Sequence, residues 1–167
     1  MQSRLDLLQS IWPHDLHYAS FVLKGKVMLI QLDNSLNAFL DSQVEPFKAD
    51  LALAREKGYA VLLFYHVPIA TGNPDDYCAV SPLDGESTHN LFSGPIGSFS
   101  KGASKEVYTL ITENADIIKG AFCGHLHKDF YSNIKGTGEN GKGHLIPQYL
   151  MRGSAYEQGH MFRIIVK

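Results

Sequence analysis

The spacing of apolar and polar positions near the start of the chain predicts a short helix followed by a β-hairpin. Leucine and isoleucine recur every three residues between positions 5 and 11, and Pro13 would end the helix that this spacing predicts. The apolar stretches 18–23 and 26–32 then predict two strands. Lys24-Gly25 lies between them and is typical of a tight turn, so we expect the two strands to form a hairpin.

Two helix-then-strand units are predicted after the hairpin. The first helix is expected over residues 41–57, with Asp41 or Ser42 as its cap and Gly58 as its end. It leads into YAVLLFYH, a continuous apolar run typical of a strand that is covered on both faces. A second helix, SKEVYTLITENA, leads into a second such run, DIIKGAFCG. This order predicts a single α/β domain over residues 1–167.

The remaining chain consists of one long irregular stretch and a strand-rich tail. Residues 67–103 are rich in Gly, Pro, Ser and Asp, and a loop of that length in a compact domain is often functional. Three more strands are predicted at 129–135, 145–151 and 160–166, with the glycine-rich KGTGENGKG between the first two.

Composition and charge narrow the expected partners and location of the protein. A net charge of -2 gives no electrostatic reason to expect a nucleic-acid partner. No apolar run approaches the roughly 18 residues of a membrane span, so we expect no membrane partner. The two cysteines, Cys78 and Cys123, do not suggest a disulfide framework. Together with a first segment that does not resemble a secretory signal, they favour a cytoplasmic location.

Histidines follow both buried apolar runs. His66 follows the first, and His125 and His127 follow the second. Because ligands of open α/β sheets gather outside the carboxyl ends of the strands, we expect these imidazoles to meet in one crevice. A single histidine at a strand end is usually a packed residue, but three at matched strand ends favour a metal site. Imidazole binds zinc, iron, manganese and nickel.

These segments resemble a known family. YHVP and GHLH resemble the last two signature blocks of the calcineurin-like metallophosphoesterases, and YASFVLKGKVMLIQLDNS resembles the segment after the family's central motif. The long loop, the second helix and the final strands are also similar, so the resemblance covers nearly the whole chain. It implies an α/β (α+β) fold that forms the C-terminal half of a layered sandwich of mixed β-sheets flanked by helices.

The resemblance also implies an activity and a set of metal ligands. The family hydrolyses phosphomonoesters or phosphodiesters with two divalent metal ions, which are Mn, Fe, Zn or Ni. On this basis His66 and His125 would bind the second ion and His127 the first. No residue of this chain matches a catalytic residue of the family.

Three earlier blocks of the family are not found where the resemblance requires them. They are Asp-x-His, Gly-Asp and Gly-Asn-His-Asp/Glu. Asp15-Leu16-His17 is a literal Asp-x-His but follows a predicted helix, and GNPDD at 72–76 lies after the HVP block and carries Pro74 in place of histidine. We therefore expect a partial domain with an uncovered apolar edge or face, which would pair with another copy or with a missing N-terminal half.

Four other polar residues are candidates for contacting the substrate or orienting a metal ligand, and they are Asp33, Asn34, His89 and Asp129. The plainer interpretation is that Asp33 and Asn34 form a turn with a helix cap and that His89 lies in a solvated loop. Asp129 follows His127 at a spacing that suits either the orientation of an imidazole or a surface position.

Two alternatives stay open. HLHKD resembles the His-x-His-x-Asp signature of the metallo-β-lactamases, but Phe130 stands where a further histidine belongs. The chain would otherwise be a catalytically incomplete metal-binding or interaction scaffold, an interpretation that the missing acidic ligands favour.

Overall fold

The computed structural model describes residues 15–35, 38–69, 102–125, 129–151 and 163–165. The strands are β1 (Tyr18–Leu23), β2 (Val27–Leu32), β3 (Ala60–Phe64), β4 (Ile118–Cys123), β5 (Phe130–Lys135) and β6 (Leu145–Leu150). The helices are α1 (Val44–Lys57), α2 (Gly102–Glu113) and the short α3 (Gly138–Gly141), and a 3₁₀ turn at Asp41–Gln43 precedes α1. The predicted first helix and most of the long loop lie outside these residues.

The strands form one six-stranded mixed sheet in the order β1-β2-β3-β4-β6-β5. The four central strands, β2, β3, β4 and β6, are parallel, and β1 and β5 pair antiparallel with their neighbours. Each parallel step needs a crossover, which α1 supplies between β2 and β3. The mixed α/β class predicted from the sequence is confirmed.

Turn chemistry defines the hairpin and the end of the first long helix. The Lys26 N–H donates to the Leu23 carbonyl, and both residues between them have positive φ, 51° at Lys24 and 64° at Gly25, as type I′ turns require. Helix α1 ends at Gly58, whose φ of 68° is left-handed and costs glycine little. Both turns were predicted from their glycines.

The core lies between the helices and one face of the sheet. Phe47 is the largest fully buried side chain among the described residues, at 0% exposure. It shares one apolar cluster with alternate residues of the strands, which point to a single face because side chains in a strand alternate in direction. Residues of both long helices and of strands β2 to β6 meet in this cluster, among them Leu51, Val107, Ile111, Ile30, Leu63, Ala121, Ile134 and Ile146.

The opposite face of the sheet carries a row of aromatic rings across four strands. Phe64 stacks on Phe122 at 5.3 Å between ring centroids, and Phe122 stacks on Tyr149 at 5.4 Å. Tyr131 continues the row, 5.3 Å from Tyr149, and is 51% exposed. The partner expected to cover such a face in a partial domain stays a prediction.

Two local expectations need correction. Neither Asp41 nor Ser42 caps α1, because residues 41–43 form the 3₁₀ turn and the helix follows it with no side-chain cap bond. Residues 163–165, the described part of the third predicted tail strand, form no strand. The glycine-rich segment between β5 and β6, for which no element was predicted, contains α3.

The glycines around α3 allow it to lie against the end of α2. A Cβ atom on Gly141 would overlap the backbone carbonyl of Thr112, and one on Gly136 would overlap the carbonyl of Gly141. Thr137 N–H donates to the Thr112 carbonyl at 2.9 Å, which holds the two segments together. The glycine content of this segment is therefore explained by close backbone packing.

We expect Gly141→Ala to destabilise the protein by about 2 kcal/mol or more, because the methyl group has no space and the backbone must move. Urea denaturation followed by circular dichroism measures the change. Gly124→Ala is the matched control, since a Cβ atom there meets nothing within 4 Å. Equal stability of the two variants would contradict the packing described for α3.

Candidate metal site

The parallel strands β2, β3 and β4 end at one edge of the sheet, and we call the residues that follow them the carboxyl rim (Asp33–Asn34, His66 and Gly124–His125). The backbone ladder continues into this rim. Tyr65 N–H donates to the Phe122 carbonyl at 3.1 Å, and Gly124 N–H donates to the His66 carbonyl at 3.0 Å. His66 and His125, far apart in sequence, are therefore neighbours in the fold.

The two imidazoles face each other through their ring nitrogens. His66 Nε2 lies 3.1 Å from His125 Nδ1, and the rings are nearly perpendicular, at 84° with centroids 5.0 Å apart. Two nitrogens bound to one zinc ion at roughly 2.0–2.1 Å, at tetrahedral or right angles, lie about 2.9–3.4 Å apart. The spacing therefore suits two ligands of one metal ion, and equally a direct N–H···N hydrogen bond.

The backbone of His125 is left-handed, with φ of 72°. This conformation is uncommon in residues other than glycine and costs roughly 1–2 kcal/mol. Glycine is the usual residue for such a backbone, but the neighbouring Gly124 is not among the residues with positive φ. Strained backbone is frequent where a side chain must be aimed, which supports a functional role for His125.

Asn34 holds the backbone of His66. It is fully buried, at 0% exposure. Its Oδ1 accepts from the N–H groups of His66 and Val67 at 3.0 and 2.9 Å, and its Nδ2 donates to the Val67 carbonyl at 2.8 Å. The roles predicted for Asn34, in contacting substrate or orienting a metal ligand, stay predictions.

Asp33 pairs with a histidine that the sequence analysis set aside. His17 Nδ1 lies 2.7 Å from Asp33 Oδ2, and the other carboxylate oxygen accepts from the Ser35 N–H at 2.9 Å and from its hydroxyl at 2.7 Å. Burial raises the pKa of the Asp33 carboxyl, but the hydrogen bonds from Ser35 and His17 outweigh it and lower the pKa below its ordinary value. Asp33 is therefore a stable anion that fixes the His17 ring.

The hairpin explains why His17 reaches Asp33. Tyr18 pairs with Leu32, so His17 and Asp33 are the next pair beyond the strand ends. Their backbones are joined where Asp33 N–H donates to the His17 carbonyl at 3.1 Å. Extending the register of the predicted hairpin by one residue would have found this pair. Gln43 adds support, since its buried side-chain amide bonds the Asp33 N–H and carbonyl at 2.8 and 2.7 Å.

Of the other candidate residues, His127 and His89 lie outside the described residues. Asp129 is exposed and directly precedes β5, which begins beside the end of β6. Within the described part of the chain, no three His, Cys, Asp or Glu side chains converge as a group able to hold a metal ion. The described site is thus a pair of imidazoles.

Comparison of the chain with protein-family models finds no matching family, and a search of curated proteins finds no match. The resemblance to the calcineurin-like metallophosphoesterases therefore stays a prediction. None of the helices formed by the described residues has the length and apolar character needed to cross a membrane.

The left-handed backbone at His125 predicts the relative stability of the glycine and alanine variants at that position. At an ordinary φ, alanine is more stable than glycine by roughly 0.5–1 kcal/mol, but at a left-handed position the order reverses. We expect His125→Gly to be more stable than His125→Ala by about 1 kcal/mol in urea denaturation.

Position 124 is the internal control for this comparison, because its φ is not positive. There we expect Gly124→Ala to leave stability unchanged or to raise it slightly. A His125→Ala variant at least as stable as His125→Gly would show that the left-handed turn is not at His125.

Proposed function

We propose that this chain binds a divalent transition metal ion between His66 and His125, and that it acts in metal-dependent hydrolysis of phosphate esters. The observation that carries the proposal is the 3.1 Å approach of His66 Nε2 to His125 Nδ1 at the carboxyl ends of two adjacent parallel strands. The resemblance of YHVP and GHLH to the calcineurin-like metallophosphoesterases supplies the reaction class, and it assigns a further ion to His127.

The residues of the rim fit part of a transition-metal site. His66 is exposed and His125 is half-buried, so their ring nitrogens are accessible to an ion and to a substrate above it. Imidazole is a ligand for zinc, manganese, iron and nickel when it is neutral. A divalent ion bound there would polarise a phosphoryl oxygen. The two histidines would hold it, and Asn34 would hold the backbone of one of them.

A metal-binding scaffold without hydrolytic activity is the second candidate. The observation that favours it is that Asp33, the carboxylate of the rim, is already engaged by His17 and Ser35. Two imidazoles alone do not neutralise a divalent ion.

Calorimetric titration of the purified chain with Mn²⁺ and with Zn²⁺ tests the metal site. We expect binding by the wild-type protein, and we expect His66→Ala to weaken it by more than the roughly 10–100-fold that the loss of an outer-shell partner costs. His144→Ala is the matched control. Its histidine is exposed and precedes β6, at the opposite edge of the sheet.

Hydrolysis of p-nitrophenyl phosphate and bis-p-nitrophenyl phosphate by the metal-loaded chain separates the two candidates. Turnover that His66→Ala abolishes and His144→Ala preserves supports the hydrolase. Metal binding without turnover of either ester supports the scaffold. Failure of the wild-type chain to bind Mn²⁺ or Zn²⁺ would contradict both.

A further inference from the structure

The four residues His66–Ile69, which follow β3, are held by two buried side-chain amides. Val67 and Ile69 are 0% exposed, and Pro68 is also buried, so their backbone polar groups are removed from water. Buried backbone N–H and C=O groups must find partners, since an unsatisfied one costs roughly 1–3 kcal/mol. The segment lies beyond β3, so ladder bonds of that strand do not supply all the partners.

Asn34 and Gln148 provide the missing partners. Pro68 has no N–H, so the segment has three backbone donors. The His66 and Val67 N–H groups donate to Asn34 Oδ1, and the Ile69 N–H donates to Gln148 Oε1 at 2.8 Å. The amide nitrogens of the same two side chains donate back, to the Val67 carbonyl at 2.8 Å and to the Ile69 carbonyl at 2.9 Å. Every backbone N–H of the segment therefore ends on one of two buried amides.

Both amides are themselves held in place. Asn34 follows β2 directly and Gln148 belongs to β6, so the segment is attached on one side to each of two other parallel strands. Gln148 is also 0% exposed, accepts from the Tyr65 hydroxyl at 2.7 Å, and donates to the Ser132 hydroxyl at 2.8 Å. A buried polar network with its bonds satisfied is rigid, because any shift leaves a buried group without its partner.

We propose that Asn34 and Gln148 are positioning residues that set the His66 imidazole for metal binding. The proposal rests on the proposed function, since it concerns the affinity of the His66–His125 pair for the ion. The 3.1 Å approach of the two rings depends on the backbone of His66, and Asn34 bonds that backbone at the residue itself and at the next one. Removing the Asn34 amide would remove the hydrogen bonds that hold the His66 backbone, while leaving the His66 imidazole itself intact.

The test compares Asn34→Ala with Asn34→Asp in titrations with Mn²⁺ and with Zn²⁺. We expect Asn34→Ala to bind roughly 10–100-fold more weakly than the wild type, which is the usual cost of removing a side chain that orients a metal ligand. Asn34→Asp keeps the acceptor for the His66 and Val67 N–H groups, but it replaces the donor to the Val67 carbonyl with a second carboxylate oxygen, which repels that carbonyl. We expect Asn34→Asp to bind metal more tightly than Asn34→Ala but more weakly than the wild type. If Asn34→Ala does not fold, the metal affinity of Asn34→Asp tests the proposal instead.

Ser104→Ala is the matched control for a general loss of stability. The buried Ser104 hydroxyl accepts from the Phe39 N–H at 3.0 Å, so the substitution also strands a buried backbone donor, but one that belongs neither to His66 nor to Val67. We expect it to lower the Tm while leaving metal affinity unchanged. Amide hydrogen exchange gives a reading without metal, in which His66, Val67 and Ile69 are protected in the wild type and His66 and Val67 lose protection in Asn34→Ala.

The outcomes separate the two proposals. A wild-type protein that binds neither ion overturns the proposed function and this inference with it. Wild-type binding that is unchanged in a folded Asn34→Ala or Asn34→Asp variant overturns the inference alone. An equal loss of affinity in Ser104→Ala would also overturn it, because the effect would then be one of stability.

Discussion

The parallel alignment of β2, β3 and β4 determines where the polar residues of this domain lie. Parallel strands that are neighbours end at the same edge, so the residues after them form one rim although they are far apart in sequence. The antiparallel outer strands add to the same edge, since β1 begins beside the end of β2. The pairing of His66 with His125 follows from the parallel alignment, and that of His17 with Asp33 follows from the antiparallel β1–β2 hairpin.

The second constraint is that buried backbone N–H and C=O groups need hydrogen-bond partners. In this fold, the side chains that supply those partners connect the core to the carboxyl rim. The chain after β3 enters the protein interior as soon as it leaves the sheet, which is why Val67 and Ile69 need hydrogen-bond partners from side chains. Asn34 and Gln148 meet that need from opposite sides. The hydrogen bonds that offset the cost of burying this backbone also restrict the backbone of His66. The same side chains therefore contribute both to the stability of the fold and to the geometry of the site.

Local patterns predicted the elements and the meeting of His66 with His125, because apolar periodicity determines helices and strands, and strand ends determine what shares an edge. They did not predict the bonds of Gln148, whose partners Ile69 and Tyr65 are 79 and 83 residues away. Such bonds depend on sheet order and side-chain direction, which no short segment encodes. The turn at His125 was missed because glycine, its neighbour, is the usual residue for a left-handed backbone.

Anomalous diffraction from crystals of the chain soaked in Zn²⁺ tests whether His66 and His125 bind one metal ion together. We predict one anomalous peak within roughly 2.0–2.1 Å of both His66 Nε2 and His125 Nδ1, the usual distance from zinc to an imidazole nitrogen. Data that show zinc bound elsewhere on the chain, with the two rings still hydrogen-bonded to each other and no peak between them, would contradict it.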